Sequence, residues 1–164
     1  MRLSRRQFAA LALCGPFLAS RETRGESSWR QGPPMPTPRS ELTGAVLDGR
    51  VYAAGGIAQL GITPALQVFD PARDEWRRLP AVPQARHHAA MAELGGRLFL
   101  TGGFSRLPFG DDDAVGETWI YDPADDVWEA GPAMPGRRAA HAIVAWLGRL
   151  YVVGGVGEIG RAHV

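Results

Sequence analysis

The chain has 164 residues, 45% of them hydrophobic, and a net charge of +1, which is enough apolar material for a globular core. Its 18 basic side chains, all arginine, nearly balance 17 acidic ones, so neither a nucleic-acid-binding basic face nor an acidic tail is expected. A single cysteine, Cys14, excludes intrachain disulfides and metal sites built from paired thiolates.

The first segment, residues 1–25, reads as a targeting sequence. Arg5 and Arg6 are followed by Phe8 and an apolar core, Ala9-Ala10-Leu11-Ala12-Leu13. This resembles a twin-arginine export signal, in which a receptor reads the arginine pair. The apolar stretch is about a dozen residues long and is interrupted by Gly15-Pro16, too short to cross a bilayer as a helix. The expected location is therefore periplasmic or secreted, with no membrane span beyond the signal. Leu13 is too bulky for the residue preceding a lipidated cysteine, so no lipid anchor through Cys14 is expected.

Residues 26–164 then follow one plan. After Trp29 and Arg39 come a small-residue stretch, Thr43-Gly44-Ala45, and a Gly49-Arg50 turn. An apolar run, Val51-Tyr52-Ala53-Ala54, ends at the doublet Gly55-Gly56. Such short runs, rich in β-branched and aromatic residues and closed by glycine, predict strands. Leu66-Gln67-Val68-Phe69 predicts a third strand. Asp70-Pro71-Ala72-Arg73-Asp74 predicts a tight turn, in which proline pre-sets one dihedral and aspartate bonds the following backbone. Trp76 closes the unit on an outer strand.

The plan recurs with Arg86, Ala89-Ala90-Met91-Ala92, Gly96-Arg97, Leu98-Phe99-Leu100-Thr101 and Gly102-Gly103. It continues through Thr118-Trp119-Ile120-Tyr121, Asp122-Pro123 and Trp128. A third round supplies Arg138, Ala139-Ala140-His141-Ala142, Gly148-Arg149, Leu150-Tyr151-Val152-Val153 and Gly154-Gly155. The tryptophans, arginines, turn glycines and doublets all step by 47 and then 52 residues. One shared step across independent landmarks means duplication, with a five-residue insertion in the second unit.

A period of this size with these markers resembles the kelch repeat. The resemblance implies an all-β propeller whose blades are four-stranded antiparallel sheets around a central channel. About two and a half blades are expected: repeats 29–76 and 76–128, an incomplete third at 128–164, and a leading outer strand near Trp29. Propellers close with about four to eight blades, so the chain is expected to be part of one. The alternative, for a chain that is truly truncated, is self-association through unpaired strand edges, although the missing third strand of the last blade counts against closure by two copies.

Kelch-type propellers bind ligands through loops entering the innermost strand and loops between the second and third strands; this too comes from the resemblance. Arg39, Arg86 and Arg138 recur in the first set. Converging guanidinium groups suit a carboxylate or phosphate, while the alternative is that each arginine orders its own blade by bonding nearby carbonyls. His88 joins them as a candidate ligand-binding residue. His87 and His141 lie beside it, but adjacent strand residues point to opposite faces, so at most one of His87 and His88 is expected to reach the site. No metal or other cofactor is expected. The insertion, residues 104–113 with Asp111-Asp112-Asp113, reads as a solvated acidic loop, because calcium-loop spacing is lacking.

The expected role is a scaffold binding a small acidic carbohydrate or a protein partner. The resemblance also reaches two groups of enzymes. Copper-radical oxidases of the galactose oxidase type need a cysteine crosslinked to a tyrosine, and the only cysteine here is in the leader. Sialic-acid mutarotases, which interconvert anomers of an acidic sugar such as N-acetylneuraminate, fit the export signal and the arginine recurrence, although no general base can be assigned.

Overall fold

The structure, a computed structural model, describes residues 29–106 and 114–157. The described residues from Gly32 onward form one compact unit. The fold begins with hairpins. β1 (Thr43–Leu47) turns into β2 (Arg50–Ala54) through Asp48 and Gly49, both at positive φ. Such two-residue turns carry the twist of the strands they join. A small hairpin, β3 (Ile57–Ala58) and β4 (Gly61–Ile62), decorates the connection to β5 (Leu66–Asp70), which leads to β6 (Glu75–Leu79). In the turn between β5 and β6, Asp70 Oδ1 accepts the amides of Ala72 and Arg73 at 3.0 and 3.3 Å, the bonding expected of an Asp-Pro turn.

The second unit repeats this with β7 (Ala90–Leu94), β8 (Arg97–Thr101), β9 (Thr118–Asp122) and β10 (Val127–Gly131). The third contributes β11 (Ala142–Trp146) and β12 (Arg149–Val153). Sheet orders are β1-β2-β5-β6, β7-β8-β9-β10 and β11-β12, with every pairing antiparallel. These are two complete blades and the first two strands of another, as the repeat predicts. No helix among the described residues is long and apolar enough to cross a membrane.

Two expectations need correction. Residues 29–32 form no strand and run into Pro33-Pro34, which have no amide hydrogen to offer a ladder, whereas Trp76 lies opposite Phe69 on β5. β1 starts at Thr43 with its small-residue stretch, but β7 and β11 start later than theirs suggest. Glu41, His88 and Ala140, at equivalent repeat positions, all take positive φ of 53–54°. That left-handed step leaves Ala89 and residues 139–141 ahead of their strands.

The innermost strands β1, β7 and β11 lie next to one another, with β7 between the other two. Between the first two blades, Leu47, Tyr52, Ala54, Leu66 and Val68 pack against Met91, Leu98, Leu100 and Tyr121. Small residues at 45, 89, 90 and 92 let the inner strands approach. Each closing tryptophan packs on its own blade and bonds the segment at the start of its own repeat. Trp76 lies 5.3 Å from Phe69 and donates to the Pro33 carbonyl at 3.1 Å; Trp128 lies 5.1 Å from Tyr121 and donates to the Pro80 carbonyl at 3.0 Å.

The glycine doublets are explained by close backbone approach. A Cβ on Gly102 would lie 2.1 Å from the Arg138 carbonyl of the next blade, and one on Gly103 would lie 2.7 Å from the His87 carbonyl of its own. Both glycines also have positive φ. Only glycine satisfies the conformation and the contact together.

Candidate functional site

Three segments lead into the innermost strands: residues 39–42, 86–89 and 138–141. Each is fastened to the chain just beyond its own doublet through the bridges Ser40 with Ile57, His87 with Phe104 and Ala139 with Val156. Each is also bonded to its neighbour. Gly56 N donates to the Arg86 carbonyl at 2.9 Å and Gly103 N to the Arg138 carbonyl at 2.8 Å. His88 N donates to the Glu41 carbonyl at 3.1 Å and Ala140 N to the His88 carbonyl at 2.8 Å. Equivalent residues of three repeats are thereby set side by side at the N-terminal ends of the inner strands.

The arginine side chains turn toward blade backbone. Arg39 donates to the carbonyls of Thr37 and Ala53, each at 2.9 Å, and to the Gln67 side-chain oxygen. Arg86, only 1% exposed, donates to the Gly102 carbonyl at 3.0 Å and to Gln84 Oε1 at 2.9 Å. Arg138 donates to the Gly154 carbonyl at 2.5 Å. Burial holds the Arg39 and Arg86 guanidiniums below their ordinary range, with Glu117 partly opposing the effect at Arg86. Arg86 is sealed within its blade, while Arg39 and Arg138 remain partly exposed.

The histidines are closer together than strand alternation allows. Because His88 takes a left-handed conformation, its ring turns back onto that of His87, and the two Nδ1 atoms lie 2.7 Å apart. Sequence reasoning placed at most one of the two at the site; the structure brings both into one cluster. His88 Nε2 contacts Glu41 Oε2 at 3.0 Å, and His87 Nε2 lies 3.2 Å from the Arg106 carbonyl. The Phe104 ring flanks both imidazoles. Burial pushes His87 below the ordinary imidazole range; the Arg106 carbonyl opposes this, His88 adds to it, and Glu41 opposes it.

His141 stands apart, with Nε2 3.0 Å from Thr101 Oγ1 and a buried Nδ1 that has no partner among the described residues. Burial, reinforced by the Arg138 charge, lowers it to about 4, so it is neutral at physiological pH. No group of three or more His, Cys, Asp or Glu side chains among the described residues is arranged to hold a metal ion.

Glu41 escaped sequence reasoning although a signal for it existed. It precedes His88 by 47 residues, the repeat step, and therefore shares its place in the blade. The acidic segment Asp111-Asp112-Asp113 lies outside the described residues, as do Arg5 and Arg6.

Residues 18–157 match the family model described as the KLHDC2/KLHL20/DRC7 kelch-repeats domain. Among solved structures, the structure of YjhT is similar, with 28% sequence identity and a TM-score of 0.66. The likeness covers 77% of this chain and 37% of that one, so the chain spans well under half the length of that relative. No curated protein matches the chain.

Proposed function

The chain belongs to the KLHDC2/KLHL20/DRC7 kelch-repeats family, and from that premise we propose that it is an exported propeller, or a part of one, that binds a small anionic ligand or a protein partner. The observation that carries this reading is the side-by-side placement of residues 39–42, 86–89 and 138–141 by bonds between blades. A shared backbone frame presents a different side chain from each repeat at one end of the inner strands, where loops on a rigid scaffold are suited to recognition. The contact groups we assign are His88 and the partly exposed guanidiniums of Arg39 and Arg138, with Arg86 holding the frame from within. Export through Arg5 and Arg6 belongs to the same proposal.

The experiment is titration calorimetry with N-acetylneuraminate and glucuronate, comparing the protein with Arg138→Ala and His88→Asn variants. Losing a charge-assisted contact in a partly desolvated site costs about 2–5 kcal/mol of affinity, so binding should weaken at least about 30-fold. Unchanged affinity in both variants overturns the assignment of the contact residues. No binding of either acid by the parent protein leaves a protein partner as the ligand class.

A second reading, anomer exchange of an acidic sugar, is favoured by one observation. The Glu41–His88 contact sets a carboxylate against an imidazole at a partly exposed position, the pairing that moves protons in general acid–base chemistry. Anomer exchange followed by NMR checks it: acceleration by the protein, lost in Glu41→Gln, is the expected result, and an uncatalysed rate removes the enzyme reading.

A further inference from the structure

A cleft of about 250 Å³ opens between the first two blades at the end where β1 turns into β2, opposite to the end that carries residues 39–42 and 86–89. Arg50 from β2 and Arg77 from β6 line it together with Tyr52, Tyr121 and the turn residue Asp48. Both arginines belong to the face of the first blade that is turned to the second. Arg77 lies opposite Val68, and Arg50 shares its side of β2 with Tyr52; Val68 and Tyr52 both pack in the core between the blades.

The second blade fills the equivalent place from within. Arg97 and Glu129 stand at the positions of Arg50 and Arg77, 47 and 52 residues further on, and Arg97 Nη1 bonds Glu129 Oε1 at 2.6 Å. The first blade replaces that acid with a second cation. Its own acids do not compensate. Asp70 accepts Arg73 at 2.7 Å and two turn amides, which leaves Arg50 a long contact of 3.4 Å. Among the described residues, Asp48 and Glu75 pair with neither guanidinium, and no acceptor bonds Arg77. Tyr121 donates its hydroxyl to Asp126, whereas the hydroxyl of Tyr52, a residue only 4% exposed, bonds no described residue.

We propose that Arg50, Arg77 and Tyr52 bind the carboxylate of a small hydroxylated acid, which takes the place in the first blade that Glu129 holds in the second. Guanidinium forks match a carboxylate, and a phenol adds a further donor. Asp48 narrows the class. Its carboxylate accepts hydroxyl hydrogens but repels further negative charge, which favours a singly charged sugar acid over a dicarboxylate or a phosphate dianion. The cleft is at the small end of ligand sites, a size for one sugar ring. It shares no residue with the site proposed above and does not depend on it.

Titration calorimetry of the full chain with glucuronate, and with glucose as its uncharged counterpart, tests this. The expected result is a component of glucuronate binding, absent for glucose, that depends on Arg77. Arg77→Glu supplies internally the carboxylate that Glu129 supplies in the second blade. It should weaken this component at least about tenfold, the least expected for losing a hydrogen bond to a charged group, with the thermal midpoint unchanged. Arg77→Gln adds no acid and should lose the same binding, so the outcome does not hang on how the glutamate variant folds. Arg78→Ala removes the same charge from the other side of β6 and should leave binding as it was. The proposal is overturned if the protein binds no glucuronate, if glucose binds equally well, or if both Arg77 variants bind glucuronate as the parent does. Equal weakening by Arg78→Ala overturns it too, since the effect would then be one of net charge.

Discussion

Arg86 belongs to two blades at once, through different parts of the same residue. Its guanidinium bonds the Gly102 carbonyl and Gln84 inside the second blade, while its carbonyl accepts Gly56 N from the first. Truncation to alanine would empty a buried site and leave the Gly102 carbonyl without this donor, and a buried acceptor so stranded costs about 1–3 kcal/mol before any packing loss. Arg86→Ala is expected to destabilise the protein by about 3 kcal/mol in denaturant unfolding. Lysine should not restore stability, because one ammonium cannot reproduce a planar fork aimed at two acceptors. Arg73→Ala, whose side chain is 65% exposed, should change stability by under about 0.5 kcal/mol and serves as the control. A cost below about 1 kcal/mol for Arg86→Ala would mean that its bonds are not holding the frame.

At the scale of the element, three β-hairpins of one design carry three different turn sequences: Asp48-Gly49, Gly95-Gly96 and Leu147-Gly148. All six residues take positive φ, which suits glycine and aspartate but not leucine. Leu147 is exposed and gains no packing to offset the strain. Leu147→Asn is therefore expected to stabilise the β11–β12 hairpin by about 0.5–1 kcal/mol, read as a rise in thermal midpoint; an unchanged or lower midpoint would refute it. Strands of this kind were legible in the sequence because apolar runs, turn residues and the repeat step all agreed. The left-handed step at Glu41, His88 and Ala140 was not, since glutamate and alanine give no local signal for it. That one conformation delays β7 and β11 and folds His88 back onto His87. The direction of each guanidinium was equally hidden, because it depends on acceptors brought from distant positions, such as Gln67 for Arg39 and Gly102 for Arg86.

For the molecule as a whole, equivalent positions differ according to whether another blade covers them. Leu47, Tyr52 and Ala54 in the first blade are buried because the second packs over that face. Their counterparts Trp146, Tyr151 and Val153 on β11 and β12 are exposed, as is Val144, with Trp146 at 61%. No strand among the described residues pairs with the second edge of β12. An exposed apolar face beside an open strand edge favours association with another chain. The 164-residue polypeptide is accordingly expected to self-associate, its weight-average mass in sedimentation velocity rising with concentration across the micromolar range. Replacing Trp146 with Glu and Val153 with Lys places charge on both the face and the edge, and should return the protein to monomer without altering the first two blades. Persistence of the assembly in that double variant would locate the contact elsewhere, and a parent protein that stays monomeric would show that this face does not drive association.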